Sequence, residues 1–404
     1  MPESAAMWPL SLSACTVVTA LGPGVAPLRR ALHVRQGGLA PCDLPDMPEG
    51  IWIGRVPGLE DVALPPPLAS FACRNNRLAE LALASDGFMA AAEAARDRYG
   101  PERMAVVLGT STAGIEQTEQ AYRRRDPADG ALPRDFDYAR THDLQSLPRY
   151  VRARLGLKGP ALVVSTACTS GAHAVLEAAA LIAAGLVDAA VAGGVDSLCR
   201  MTLHGFASLE LLTRGGPCRP CAADRDGISI GEAAGLMLLE RAAAGPEDAP
   251  LLLGAGASSD GHHMSSPHPE GLGAVTAMRA ALAAAGLDPE AVDYVNLHGT
   301  GTRANDAMED RAVHHLFGDA VPCSSTKGWT GHALGASGAV EAVIAALCLE
   351  DGLVPGCLGV ETPDPEFRSN VAAGNRTAPL RRVLSNSFGF GGSNCSLVVG
   401  RPAA

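Results

Sequence analysis

One cysteine of the eleven stands where a predicted strand hands over to a predicted helix. In Val163-Val164-Ser165-Thr166-Ala167-Cys168-Thr169-Ser170-Gly171-Ala172 an apolar run meets small residues, and a helix follows that begins near Cys168. This is the layout of a nucleophile elbow. Small neighbours permit the tight turn, and a helix N-terminus offers free amides and positive potential that favour a thiolate. Such a setting can bring a thiol from about 8.5 into the range of roughly 3.5–7.5. Taken alone, the segment fits a buried inert cysteine equally well, because free cysteines are among the most buried residues.

Two histidines share the pattern of a small-residue segment after an apolar run. His298 lies in Asn296-Leu297-His298-Gly299-Thr300-Gly301-Thr302, at the carboxyl end of a predicted strand, where α/β folds gather ligand sites. His332 closes Ser325-Thr326-Lys327-Gly328-Trp329-Thr330-Gly331-His332. Near the end, Asn386-Ser387-Phe388-Gly389-Phe390-Gly391-Gly392-Ser393-Asn394 is a glycine-rich turn whose backbone can approach a ligand and whose amides would suit an oxyanion. Cys218-Arg219-Pro220-Cys221 has the spacing of a zinc or redox pair, but no second pair follows it, so no metal site is expected. His262, His263 and His268 cluster without the helical spacing of a metalloprotease. A phosphate-binding Walker loop and a strand-anchored GxGxxG are both missing from the sequence.

Short apolar runs at 104–109, 161–166, 189–193 and 235–239 read as buried strands, with an alanine-rich helix over Gly171 to Ala184 between two of them. The second part repeats the style, with strands near 251–254, 294–297, 384–385 and 397–399 and helices over 274–285 and 336–349. The expected organisation is an N-terminal half over 1–248 carrying the cysteine and a C-terminal half over 249–404 carrying the histidines, joined by the 242–250 connector. Residues 116–150, rich in Arg, Asp and Pro, read as an insertion lying on the surface or across an interface.

The chain's 404 residues are enough for two packed halves, and 47% hydrophobic against 19% charged residues describes a folded enzyme. A net charge of -11, no long basic block and 4% aromatics argue against a nucleic-acid partner. An acidic protein can still dock on local arginines. Arg74, Arg77, Arg123 and Arg124 are the candidates. Scattered cysteines in odd number and no secretory leader point to reduced thiols in the cytoplasm, and no apolar run is uninterrupted enough for a membrane span.

Together these segments resemble the elongating β-ketoacyl-acyl-carrier-protein synthases, condensing enzymes of the thiolase superfamily. The likeness runs over nearly the whole chain and also takes in Pro217 to Gly235, with its DRDG and GEAAG patterns, and His263-Met264-Ser265-Ser266-Pro267. The resemblance implies an α/β fold, the thiolase-like αβαβα sandwich of two pseudo-repeated halves, working as a dimer. It implies Cys168 as acyl acceptor, His298 and His332 as the histidine pair, Lys327 and Glu309 as their supports, and Phe390 as gating aromatic. By the same likeness the amides of Cys168 and Phe390 form the oxyanion hole. Thr300 and Thr302 contact the phosphopantetheine arm, which arrives on an acyl carrier protein, so no resident cofactor is implied, and Ser265 and Thr112 join them as substrate-binding residues.

The implied reaction is decarboxylative condensation of a malonyl thioester with the acyl group on Cys168, in fatty-acid, aryl-polyene or polyketide extension. Initiating relatives use a His and an Asn, which this sequence does not match. The alternative is a non-catalytic subunit, resembling a chain-length factor, that shapes the acyl tunnel of a related ketosynthase; such relatives lack the cysteine. Thr112 stands where housekeeping enzymes often carry an aliphatic residue limiting the acyl pocket, and Cys221 replaces an aromatic. Both departures lean toward a specialised pathway.

Overall fold

The computed structural model describes residues 9–246 and 248–401; the connector expected over 242–250 therefore includes one residue, Glu247, outside the described set. Eleven principal strands carry the fold. In the first part they are β1 (Leu10–Thr19), β2 (Met104–Gly109), β3 (Ala161–Val164), β4 (Ala189–Asp196) and β5 (Ala233–Arg241). In the second they are β6 (Leu251–Ser259), β7 (Tyr294–Asn296), β8 (Pro322–Ser324), β9 (Asn370–Val371), β10 (Arg382–Gly389) and β11 (Ser393–Gly400).

Their order is β9-β8-β7-β10-β11-β6-β1-β5-β4-β2-β3. Read by chain position, the first part has the order third-second-fourth-fifth-first, and β6, β7, β8, β10 and β11 repeat it. In both parts the first three strands of that order run parallel, and the fourth, β5 or β11, is antiparallel to its neighbours on both sides. The two are joined edge to edge by a short antiparallel contact, Leu10 opposite Leu252 and Ser11 opposite Leu251.

Side-chain alternation sorts each sheet's residues to opposite faces. Met104, Val106 and Leu108 pack outward on the helices Arg74–Leu83, Phe88–Tyr99 and Ser146–Arg154. Ala105 and Val107 pack inward on the helices Ser170–Ala183 and Ser337–Asp351. On the second sheet Val295, Leu384 and Val398 face the outer helices Leu272–Ala285 and Arg303–Phe317. The result is five layers, helix-sheet-helix-sheet-helix. In the middle layer a Cβ on Gly171 would lie 2.8 Å from the Gly335 carbonyl oxygen, so glycine lets the two parts approach there.

Residues 116–150 depart from the expected insertion on the surface or across an interface. They include most of the helix Ile115–Arg123 and the start of the helix Ser146–Arg154, whose Leu147, Tyr150 and Val151 are buried in the outer core. Pro148 sits in the first turn of its helix, where proline is tolerated, and its neighbouring arginines hid the apolar face. The exposed stretch is essentially 123–135.

Candidate active site

Five loops that follow strands β3, β6, β7, β8 and β10 meet at one cavity of about 340 Å³. Cys168, His298, His332, Phe390, Thr300, Thr302 and Ser265 all line it.

Cys168 follows β3 through a turn in which Ala167, not the cysteine, takes the left-handed conformation at φ 53°. That backbone is strained for an alanine by about 1–2 kcal/mol. The helix starts at Ser170, two residues later than expected, so Cys168 sits before its first turn. The backbone amides of Phe390 and of Cys168 itself lie near enough to Sγ to favour the thiolate. The expected depression of the thiol is not found. Burial pushes it up to about 11, Asp196 adds to that, and Lys327 and the two amides only partly offset the desolvation.

The His298 loop is held by one face of the helix Arg303–Phe317. Glu309 accepts the amides of His298 (2.8 Å) and Gly299 (2.7 Å), and Asp306, one turn earlier, accepts those of Thr300 (3.0 Å) and Gly301 (3.2 Å). Two carboxylates three residues apart thus satisfy four consecutive loop N–H groups. Asn386 reaches Glu309 as well, at 3.2 Å. Thr302 caps the same helix through Asn305, and its hydroxyl lies 3.0 Å from that of Thr300. Gly301, at φ 85°, packs so closely on Gly227 of the DRDG segment that a Cβ would lie 2.6 Å from its carbonyl oxygen. Burial raises Glu309 to about 7.

Lys327 and Glu309 support the histidines separately, and Lys327 pairs with Glu341. Its ammonium bonds the carboxylate of Glu341, donates to the carbonyl oxygen of His298, and lies 3.4 Å from His298 Nδ1. Lys327 and Glu341 are both almost fully buried. An ammonium can only donate, so Nδ1 of His298 must accept and its proton must sit on Nε2. His332 is fixed differently. Its amide donates to the carbonyl of Ser229 at 2.7 Å, and its Nδ1 lies 2.9 Å from the hydroxyl of Ser337. The two imidazoles stand edge to face, centroids 5.2 Å apart. Burial and the Lys327 charge hold both well below the usual histidine range, so both are neutral at pH 7.

The ring of Phe390 stacks on Phe206 at 5.6 Å, 22° from coplanar. Its loop is pinned by the amide of Gly391 on the Met264 carbonyl and by the carbonyl of Gly392 on the Asp260 amide. Sequence reasoning missed Phe206, Glu341 and Ser337. A lone glutamate inside the apolar run of residues 336–349 was the available signal for Glu341, since such residues are almost never fully buried unpaired.

Other expected site residues fall elsewhere. Thr112 is buried away from the cavity lining; its hydroxyl donates to Asp196 (2.8 Å) and accepts from the Ser197 amide (3.1 Å). Arg74 is not a free docking cation, because it grips the fully buried Glu232 bidentately at 2.6 and 2.7 Å and also bonds Glu60. Arg77 donates to the Glu60 carbonyl; Arg124 pairs with Asp135 on the surface, and Arg123 is exposed 4.0 Å from Asp46. Cys218 and Cys221 diverge, the first thiol facing the Lys327 carbonyl and the second Cys357. Among the described residues no cluster of three or more His, Cys, Asp or Glu is arranged to hold a metal ion.

Fold and site together define a thiolase-fold condensing enzyme with a cysteine and two histidines. Residues 74–244 match the Beta-ketoacyl synthase, N-terminal domain, and residues 251–361 the Beta-ketoacyl synthase, C-terminal domain. The chain is 39% identical over 312 residues to 3-oxoacyl-[acyl-carrier-protein] synthase 2 of Rhizobium meliloti (strain 1021), covering 73% of each. It is 35% identical over 315 residues to the synthase of the same name from Vibrio cholerae, covering 74% of this chain and 76% of the relative. The ketosynthase (ApeO) in complex with its chain length factor (ApeC) from Xenorhabdus doucetiae superposes with a TM-score of 0.88 at 36% identity, covering 99% of this chain and all of the other. A beta-ketoacyl synthase from Burkholderia phymatum STM815 gives 0.85 at 30% identity, covering 98% and 99%.

The chain belongs to the β-ketoacyl synthase family. It has the thiolase-like fold of that family and is an acyltransferase-type condensing enzyme of the 3-oxoacyl-[acyl-carrier-protein] synthase kind.

Proposed function

We propose that this chain extends a carrier-bound acyl chain by decarboxylative condensation, with Cys168 as nucleophile and His298 and His332 as donors to the enolate. The observation that carries this reading is the convergence of Cys168, both histidines and the two amides on one cavity.

Sγ of Cys168 attacks the acyl thioester, and the carrier thiol leaves with a proton. The amides of Cys168 and Phe390 receive the tetrahedral oxyanion, a donor of this kind being worth about 2.7–4 kcal/mol. A malonyl thioester then loses carbon dioxide. Its enolate oxygen meets Nε2–H of His298 and of His332, neutral imidazoles that donate without surrendering a full charge. The carbanion attacks the Cys168 thioester, the C–S bond breaks to leave the Cys168 thiolate, which takes a proton from water, and a β-ketoacyl carrier is released. The phosphopantetheine thiol comes with the carrier along Thr300, Thr302 and Ser265, so the reaction asks for no resident cofactor.

Partners follow the same reading. An acyl carrier protein supplies both substrates, with Arg77, Arg123 and Arg124 as its candidate docking cations. A second chain of the same fold, identical or related, covers the edge strand β3, whose Leu162 is 40% exposed. The pairing of ApeO with a chain length factor supports a related partner, and the presence of Cys168 with both histidines supports a catalytic role for this chain. The aryl-polyene or polyketide assignment rests on that same likeness. The division at residue 248 is supported by the repeated strand order. Reduced thiols throughout and no helix long and apolar enough to cross a membrane among the described residues support work in the cytoplasm.

The test is condensation by the purified full chain, with its partner where one co-purifies, from acyl- and malonyl-carrier thioesters. Cys168→Ala is expected to lose acyl transfer and condensation. Condensation by Cys168→Ala at the wild-type rate would remove the assignment.

A further inference from the structure

Ser337 opens the helix Ser337–Asp351 and is 3% exposed. The turn between it and His332 is tightly specified. Leu334 takes φ 50°, and the Gly335 amide donates to Asp196, a carboxylate on the other half of the molecule that also collects Thr110, Ser111 and Thr112. That turn brings the first residue of the helix back onto the imidazole five positions earlier, with Oγ 2.9 Å from Nδ1.

The direction of this hydrogen bond follows from counting donors. Nδ1 of His332 is the one partner of the Ser337 hydroxyl among the described residues. If Nδ1 carried the proton and donated to Oγ, the hydroxyl hydrogen would be buried with nothing to receive it, which folded proteins avoid. With the hydroxyl donating, both groups are satisfied and the imidazole proton is on Nε2. The ammonium of Lys327 does the same for His298, but a serine does it here without adding charge beside an already buried pair of rings.

We propose that Ser337 is the positioning residue that holds His332 as its Nε2–H tautomer, and so governs donation to the malonyl thioester oxygen during decarboxylation. This rests on the function proposed above. Ser337 touches no substrate and acts through His332 alone. Acyl transfer to Cys168, which relies on the amides of Cys168 and Phe390, is independent of it.

The experiment uses the full-length chain with histidine labelled by ¹⁵N, as wild type, Ser337→Ala and Ser337→Thr, with carbon-dioxide release from malonyl carrier measured in a Cys168→Gln background. Ring-nitrogen shifts report the tautomer directly. Wild-type His332 is expected as Nε2–H. Ser337→Ala is expected to show the Nδ1–H form and to release carbon dioxide about tenfold more slowly, a change of about 1.4 kcal/mol in barrier, with its rate of Cys168 acylation unchanged in the otherwise native chain. Ser337→Thr restores both readouts. A wild-type His332 found as Nδ1–H overturns the proposal even if Ser337→Ala does not fold. Unchanged tautomer and unchanged release in Ser337→Ala overturn it too, leaving the function proposed above intact. A wild-type chain that never condenses refutes that function instead, while the nitrogen shifts still decide the tautomer.

Discussion

Truncating Glu341 to alanine separates what the buried pair contributes to folding from what it contributes to chemistry. Lys327 and Glu341 are 1% and 3% exposed at the side chain, and the remaining neighbours of the ammonium are the carbonyl and Nδ1 of His298. Removing one partner of such a pair leaves an uncompensated buried charge and costs about 3–5 kcal/mol. For 404 residues the unfolding entropy is about 0.85 kcal/mol per kelvin at about 2.1 cal/mol/K per residue, so the melting midpoint should fall by about 4–6 °C. Glu341→Ala is therefore expected to unfold early by calorimetry and to release carbon dioxide slowly.

The informative variant is the double replacement Lys327→Met with Glu341→Leu. An apolar pair of similar volume often restores or exceeds the stability of a buried ion pair. It cannot donate to Nδ1, so His298 loses the restraint that keeps its proton on Nε2. The expected result is a melting midpoint near wild type together with carbon-dioxide release reduced about 10²–10³-fold, the cost of losing one oxyanion donor. Recovery of both stability and release by the apolar pair would refute the reasoning, because the pair would then be packing alone.

Four further outcomes are expected. Because burial holds the Cys168 thiol at about 11, iodoacetamide labelling of the free protein, followed by mass mapping, should keep climbing about tenfold per pH unit from pH 7 to 9; a plateau below pH 8 would show a depressed thiol instead. Glu309, raised to about 7, keeps its proton in the folded state from its ordinary 4.5 upward while the unfolded chain loses it. The stability of wild type relative to Glu309→Gln should therefore fall as pH rises from about 4.5 to 7, read from urea midpoints at both ends, and a rise would contradict burial as the cause. Arg74→Ala should destabilise by about 3–5 kcal/mol through the stranded Glu232 without a selective effect on carrier KM. Arg77→Glu should raise carrier KM at low salt, and an unchanged KM would take Arg77 out of the docking surface.

The readable part of this molecule was the part written in local pattern. Apolar runs bounded by small residues gave β2 at Met104–Gly109 from end to end, and alanine-rich stretches gave the two middle helices within a residue or two. Strand ends and glycine turns marked the segments of Cys168, His298 and His332 and the Asn386 to Asn394 turn, the family resemblance singled out those three residues and Phe390 within them, and the structure gathers all four at one cavity. Long-range electrostatic pairing was not legible. Nothing in spacing says that Arg74 reaches Glu232, 158 residues away, or that Lys327 prefers a glutamate 14 residues later to Glu309, which lies 18 residues earlier. The thiol of Cys168 failed for a related reason: a helix N-terminus is visible in sequence, whereas the desolvation that outweighs it depends on how completely the two halves close over the sulfur.

That closure explains why the site lies where the halves meet. The first part of the chain supplies the sulfur and the second both imidazoles, so the mechanism proposed above needs both, and their separation must be set by something rigid. Two features set it. In the middle layer the contact of Gly171 with the Gly335 carbonyl fixes the distance between the helix after Cys168 and the turn after His332, because any side chain there would push them apart. Across the same junction Asp196 of β4 takes the Gly335 amide, tying the loop that carries Ser337 and His332 to the strand bundle that carries Cys168. A methyl at Gly171 would move the nucleophile relative to the enolate donors without touching either, and displacements of about 1 Å in such geometry cost about 10²-fold in rate. Gly171→Ala is accordingly expected to keep Cys168 alkylation and lose condensation. Condensation at the wild-type rate would show that the separation is set elsewhere.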